Sequence, residues 1–135
     1  MIARISGCLV VAGCLVAGVP LQAHHSLAGV YDMHKEAELS GSVAKIRFSN
    51  PHGSMIVAVK NADGSMTDWV LTLGSATSLA QRGIGARGAN ALHAGDEVKV
   101  RIIPARDGSP LGFLKSVTMP DGRVIQISSN NPEND

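Results

Sequence analysis

Turn signals divide this chain into pieces too short for anything but strands and one short helix. Asn50-Pro51-His52-Gly53, Asn61-Ala62-Asp63-Gly64, Gly95-Asp96, Asp107-Gly108 and Pro120-Asp121-Gly122 punctuate the stretch from Glu36 to Ile127. Proline cannot donate to a ladder and glycine permits tight turns, so each cluster ends one segment and starts the next. Between them the pattern has period 2. Val98, Val100 and Ile102 alternate with Glu97, Lys99 and Arg101, and Thr67, Trp69, Leu71 and Leu73 share one face of the Thr67–Leu73 segment. Met55–Lys60, Leu111–Met119 and Arg123–Ile127 read as further strands. In Glu36–Phe48, Leu39 and Val43 share one phase while Ile46 and Phe48 take the other, which predicts a bulge near Gly41-Ser42 in a long, bent strand. Ser75 can cap a helix over Ala76–Arg82 that Gly83 closes, and the glycine- and alanine-rich stretch from Ile84 to Ala94 reads as irregular.

The order of strand, strand, strand, helix, strand, strand is that of an OB-fold. The expected fold class is therefore mostly β: a small OB-fold-like barrel of five to six strands with one short helix. A small β-sandwich or another barrel is the alternative. The expected division is an N-terminal segment 24–34, a barrel 35–127 and a polar, mobile tail 128–135, with no internal repeat and no second domain.

The start of the chain reads as a signal peptide, residues 1–23. A short basic start with Arg4 precedes an apolar run from Cys8 to Val19, then Pro20 and Leu21-Gln22-Ala23. The run is too short and too close to the terminus for a good membrane-spanning helix, and Ala23 suits signal peptidase. The alternative is a lipobox-like Val11-Ala12-Gly13-Cys14, which would anchor the protein through a lipid on Cys14. Cleavage after Ala23 removes both cysteines, leaving neither a disulfide nor a thiol ligand. It also removes one of the 12 basic residues, bringing them into balance with the 11 acidic ones. A neutral surface draws phosphate backbones weakly, and there are few aromatics, so nucleic acid is not an expected partner. The expected location is periplasmic or secreted, with no transmembrane segment in the mature chain.

Cleavage after Ala23 would expose His24-His25-Ser26 behind a free α-amine. Such an amine titrates at about pH 7.7 to 8.0, so near neutrality it can serve as a nitrogen donor. The amine and ring of His24 can grip one metal ion, and His25 offers a second mode through its ring and the intervening backbone nitrogen. Nitrogen-rich sites favour copper, and with no cysteine Cu(II) is the natural state. His52, on the Asn50-Pro51-His52 turn, is the expected third ligand, although its ring could instead bond the backbone of its own turn. His34 lies near enough in sequence to join, while His93 falls in a loop where a surface residue is expected. The alternative reading of the histidine pair is an ordinary chain end. Trp69 reads as core, and Asp32 and Asp68 as turn or surface groups. The sequence carries no glycine-rich phosphate loop, Ser-His-Asp pattern or thiol nucleophile, so no catalysis is expected. The ligand expected is a metal ion; the alternative is a non-enzymatic binding module of the cell envelope that recognises a protein or other non-metal ligand through its OB-like barrel.

Ala23-His24-His25-Ser26, Tyr31-Asp32, Asn50-Pro51-His52, Trp69, Leu79 with Gly83, Gly95-Asp96, the run from Pro104 to Pro110 and Pro120-Asp121-Gly122 together resemble a family of small exported bacterial proteins of unknown function. The resemblance implies export and a small β domain, and supplies no activity. That family often has an acid three places after the tryptophan, where this chain has Thr72, and a tryptophan after the glycine, where it has Ile84. The N-terminal histidine is also similar to that of unrelated copper proteins with a histidine brace, an analogy of site alone.

Overall fold

A computed structural model describes residues 27–128. In chain order the elements are α1 (Leu27–Val30), β1 (Ala37–Arg47), β2 (Ser54–Lys60), β3 (Met66–Thr72), α2 (Ala76–Gln81), β4 (Ile84–Gly85), β5 (Asn90–Ala91), β6 (Glu97–Pro104), β7 (Leu111–Thr118) and β8 (Val124–Gln126). Strands β1, β2 and β3 form an antiparallel meander. The other edge of β1 pairs with β6, which pairs in turn with β7. Strand β7 then runs parallel to β3, with Val70 opposite Leu111 and Thr72 opposite Phe113. This last pairing closes five strands into a barrel of the expected OB-like order, with α2 between its third and fourth strands. Strand β8 is additional. It takes the edge of β7 at Ser116–Thr118, beyond the part that β3 occupies.

Strand β1 serves two neighbours because it is long and bent. Gly41 faces Val59 on one side and Val98 on the other, and Ser42 faces Ala58 and Glu97. A Cβ at Gly41 would stand 2.2 Å from the Ala58 carbonyl oxygen, so glycine is what lets the strands approach. The bulge itself is not at Gly41-Ser42. The register shifts between Val43 and Lys45, leaving Ala44 as the extra residue. Glycine marked the crowded point, and the phase change follows it.

The interior is aliphatic. Val43, Met55, Val57, Leu71, Val100, Ile102, Leu114 and Val117 are fully buried there, and side chains of this size each contribute roughly 1.5–3 kcal/mol when buried. Trp69 is half-buried and packs against this cluster. Helix α2 adds Leu79 to the same core, beside Leu73, Ile84, Leu92 and Ile127. Ser75 Oγ accepts from the Ser78 N–H at 3.1 Å, and Gly83 turns the chain away at φ 73°. The Ile84–Ala94 stretch, expected to be irregular, contains a two-residue parallel pairing, β4 with β5. Ser128, expected in the mobile tail, is buried. The N–H groups of Ile127 and Ser128 both donate to the Lys115 carbonyl. The signal peptide, His24, His25 and residues 129–135 lie outside the described residues. Among the described residues no helix is long and apolar enough to cross a membrane.

Candidate functional site

His52 sits on the turn between β1 and β2, and that turn is tied down on every side. Ser49 Oγ donates to the His52 carbonyl at 2.8 Å. The Gly53 N–H donates to the Gly74 carbonyl, and the Leu73 N–H returns a bond to the Gly53 carbonyl. On the helix side, Asn50 Oδ1 accepts from the Thr77 N–H at 3.3 Å, and the Ala76 N–H donates to the Ser49 carbonyl. The peptide bond before Pro51 is cis. Every one of these bonds uses backbone atoms or neighbouring side chains; none uses the imidazole. The ring of His52 is exposed, with no hydrogen bond among the described residues. The bond that ties His52 to its own turn is made by its carbonyl and not by its ring.

The other histidines are placed differently. The exposed His93 has its Nε2 2.9 Å from the Ala86 carbonyl. A carbonyl can only accept, so Nε2 carries the proton and donates. The backbone N–H of His93 donates to Asp96 Oδ2, which makes it a loop staple. His34 is exposed, and its N–H is 3.4 Å from Asp32 Oδ1. Among the described residues no group of three or more His, Cys, Asp or Glu side chains could hold a metal ion. His24 and His25, expected as metal ligands, lie outside the described residues. Shallow depressions of about 270 and 310 Å³ meet at Ser40, Gly41 and Glu97, and no histidine lines either.

The segment leading into β1 is built into the barrel's outer surface. Its α1 turn ends at Tyr31, which is buried with Ile103 and Phe113 in a second small cluster, and Leu27, Met33 and Leu111 pack against it. The Tyr31 and Phe113 rings lie 5.8 Å apart at 58°, a tilted arrangement that aromatic pairs favour. The Tyr31 hydroxyl shares a 2.7 Å hydrogen bond with Thr72 Oγ1 on β3. Sequence reading gave Tyr31 no role; its only signal was the Tyr31-Asp32 pair in the family pattern. Thr72 is thus the anchor for this tyrosine. Ile84 is buried core.

Charges frame the same segment. Lys35 bonds the Asp32 carboxylate at 3.0 Å and holds it below the ordinary carboxylate range, with Arg106 adding to the effect. Arg101 does the same for Glu36, helped by Lys115 at 3.4 Å. The carboxylates of Asp63, Asp107 and Asp121 are also held low. Their causes are local: each accepts hydrogen bonds from the residue two places on, Ser65, Ser109 and Arg123. These are turn-building groups, as the Asp-Gly patterns predict.

Residues 12–116, well over half of the chain, match a family of unknown function (DUF6152). The chain belongs to that family. No curated protein and no solved structure matches it. DUF6152 membership agrees with the resemblance read from the sequence and leaves the activity to be argued from the site.

Proposed function

We propose that this DUF6152 protein is exported and binds copper, as Cu(II), through its mature N-terminal His24, with His52 closing the site and His25 assisting. The observation that carries the reading is the presentation of His52. Its turn is fixed by bonds to α2 and to the Leu73-Gly74 linker after β3, while its imidazole is exposed and unbonded. A metal ligand needs a fixed backbone beneath it and a free ring nitrogen, and the turn and the imidazole supply these two. The protein would then act as a carrier, sensor or scavenger in the periplasm or outside the cell.

The test is a Cu(II) titration of protein exported and processed by a bacterial host, with intact mass fixing the terminus. Electron paramagnetic resonance reports the ligands. One-to-one binding with a nitrogen-rich spectrum is expected, weakened by His52→Ala and by an extra residue placed before His24. A terminus elsewhere, such as a lipidated Cys14, or binding indifferent to the added residue, overturns the reading.

A second reading, a module for an envelope protein, draws support from β3. Met66 and Val70 are 59% and 41% exposed there, on a strand of the barrel that OB-folds use for ligands. Partner binding that survives replacement of His24, His25 and His52 together would favour it.

A further inference from the structure

The cations of the barrel fall into two groups. Lys35 and Arg106 meet Asp32, Lys99 meets Glu38, Arg101 and Lys115 meet Glu36, and Arg123 meets Asp121. Lys45 and Arg47, both exposed near the end of β1, have neither an ion pair nor a side-chain hydrogen bond among the described residues. The sequence puts little acid within their reach, since Asp63 and Asp68 are the only acids between Glu38 and Asp96. Asp63 is taken up by Ser65 in the β2–β3 hairpin, and Asp68 stands in the next row along, opposite Ala58. Register then lays a bare apolar strip beside the two cations. Lys45 faces Ile56, which faces Val70; Arg47 faces Ser54, which faces Thr72. Met55, Val57 and Leu71 are buried in the interior, so Ile56 and Val70, one step along their strands, point outward. Ile56 is half-buried and Val70 41% exposed, and neither packs against the interior or the Tyr31 cluster.

We infer that this corner of the outer face docks an extended segment of a partner protein in which acidic and apolar side chains alternate. The acids lie over Lys45 and Arg47, and the apolar side chains over Ile56 and Val70. This rests on the second reading above, is independent of copper, and adds the partner's chemistry. Charge is one argument: two cations left without a carboxylate by their own chain are complementary to an acidic partner. Spacing is the other. Lys45 and Arg47 are two residues apart on one strand, roughly 6.6 Å, which is also the spacing of alternate side chains in an extended peptide. A chain lying edge-on along β1 therefore sends every second side chain to the cations and the others to the apolar strip. A membrane fits less well, because anionic lipid surfaces are held by clusters of roughly four to eight cations, and this corner offers Lys45 and Arg47.

The experiment is an amide-resolved NMR titration of the full, processed protein with a synthetic Glu-Leu repeat peptide. A Lys-Leu repeat peptide and phosphatidylglycerol vesicles are the comparisons. The Glu-Leu peptide is expected to shift the amides of Lys45, Arg47, Ile56 and Val70, and to bind less tightly as salt is raised. Lys45→Glu with Arg47→Glu should weaken it by about tenfold or more and let the Lys-Leu peptide bind at the same amides. Val70→Ser should weaken it several-fold with the salt dependence kept. Thermal melts confirm that each variant is folded. Glu-Leu binding that is indifferent to the charge reversal, or that shifts Met66 instead, overturns the acidic partner and leaves the module reading standing. Vesicle binding without peptide binding overturns it in favour of a membrane. If neither peptide nor vesicle shifts any amide of β1, β2 or β3, the inference falls and the module reading loses its support from β3.

Discussion

The protein has two cores on opposite faces of the same strands, and they are held by different means. Ile102 and Leu114 face each other inside the barrel, while the next pair, Ile103 and Phe113, face each other outside it. The inner cluster is supplied by every barrel strand and supported by α2. The outer one has Tyr31, Ile103 and Phe113 at its centre, with Leu27, Met33 and Leu111 around them. Redundancy is the difference. Loss of one interior side chain leaves a void among many neighbours, whereas the outer cluster loses its cover if Tyr31 swings away. The first arrangement maintains the fold; the second can open while the fold persists.

That contrast can be tested by substitution. Leu71→Ala, inside, is expected to lower global stability by about 2–5 kcal/mol in urea unfolding, and an effect under ~1 kcal/mol would show the interior to be more loosely packed than described. Gly41→Ala, which drives a Cβ against the Ala58 carbonyl, is expected to cost about 1–3 kcal/mol or more by the same measurement. Tyr31→Phe removes one half-buried hydrogen bond and should cost about 0.5–1.5 kcal/mol. Hydrogen exchange should accelerate at the Asp32 and Arg106 amides and stay unchanged at Val100. Uniform acceleration would mean that the 27–35 segment and the barrel open as one unit.

Acid gives the smallest and most selective probe. Asp32 and Glu36 are held below the ordinary carboxylate value in the folded protein. Their contribution is therefore present above about pH 4 and is lost as pH falls through their folded values. Exposed pairs of this kind contribute little, so the expected sign is faster exchange at the Arg106 amide below about pH 4 with Val100 protected. Asp32→Asn with Glu36→Gln should flatten that response.

What was legible in the sequence follows the same division. The strands of the barrel show in their alternation because one face meets only hydrocarbon, as in Val98, Val100 and Ile102. Helix α2 shows through Ser75 and Gly83, whose roles depend on adjacent backbone alone. The bulge was misplaced because Gly41 is explained by a carbonyl on another strand, which no local pattern reveals. The packing of residues 27–35 on the barrel does not show in the sequence for the same reason: Tyr31 has no periodic companions, and its partners, Phe113 and Thr72, are remote in sequence. Of the candidate site, the turn of His52 could be read from Asn50-Pro51-His52. That its ring is free of bonds could not, since this depends on Ser49, Gly74 and Thr77 satisfying the turn without it.

The division of β7 between β3 and β8 bears on how the folded protein behaves among its own copies. An unpaired strand edge is a template on which another chain can add itself, and a closed barrel removes such edges. Closure through Val70–Thr72 covers only the first part of β7, so the barrel alone would leave Ser116–Thr118 bare. Strand β8 covers that part and moves the edge outward to Val124–Gln126, a segment too short to template a long ladder. Truncation before Val124 would uncover Ser116–Thr118 on a strand continuous with the barrel, and the expected result is aggregation by strand addition.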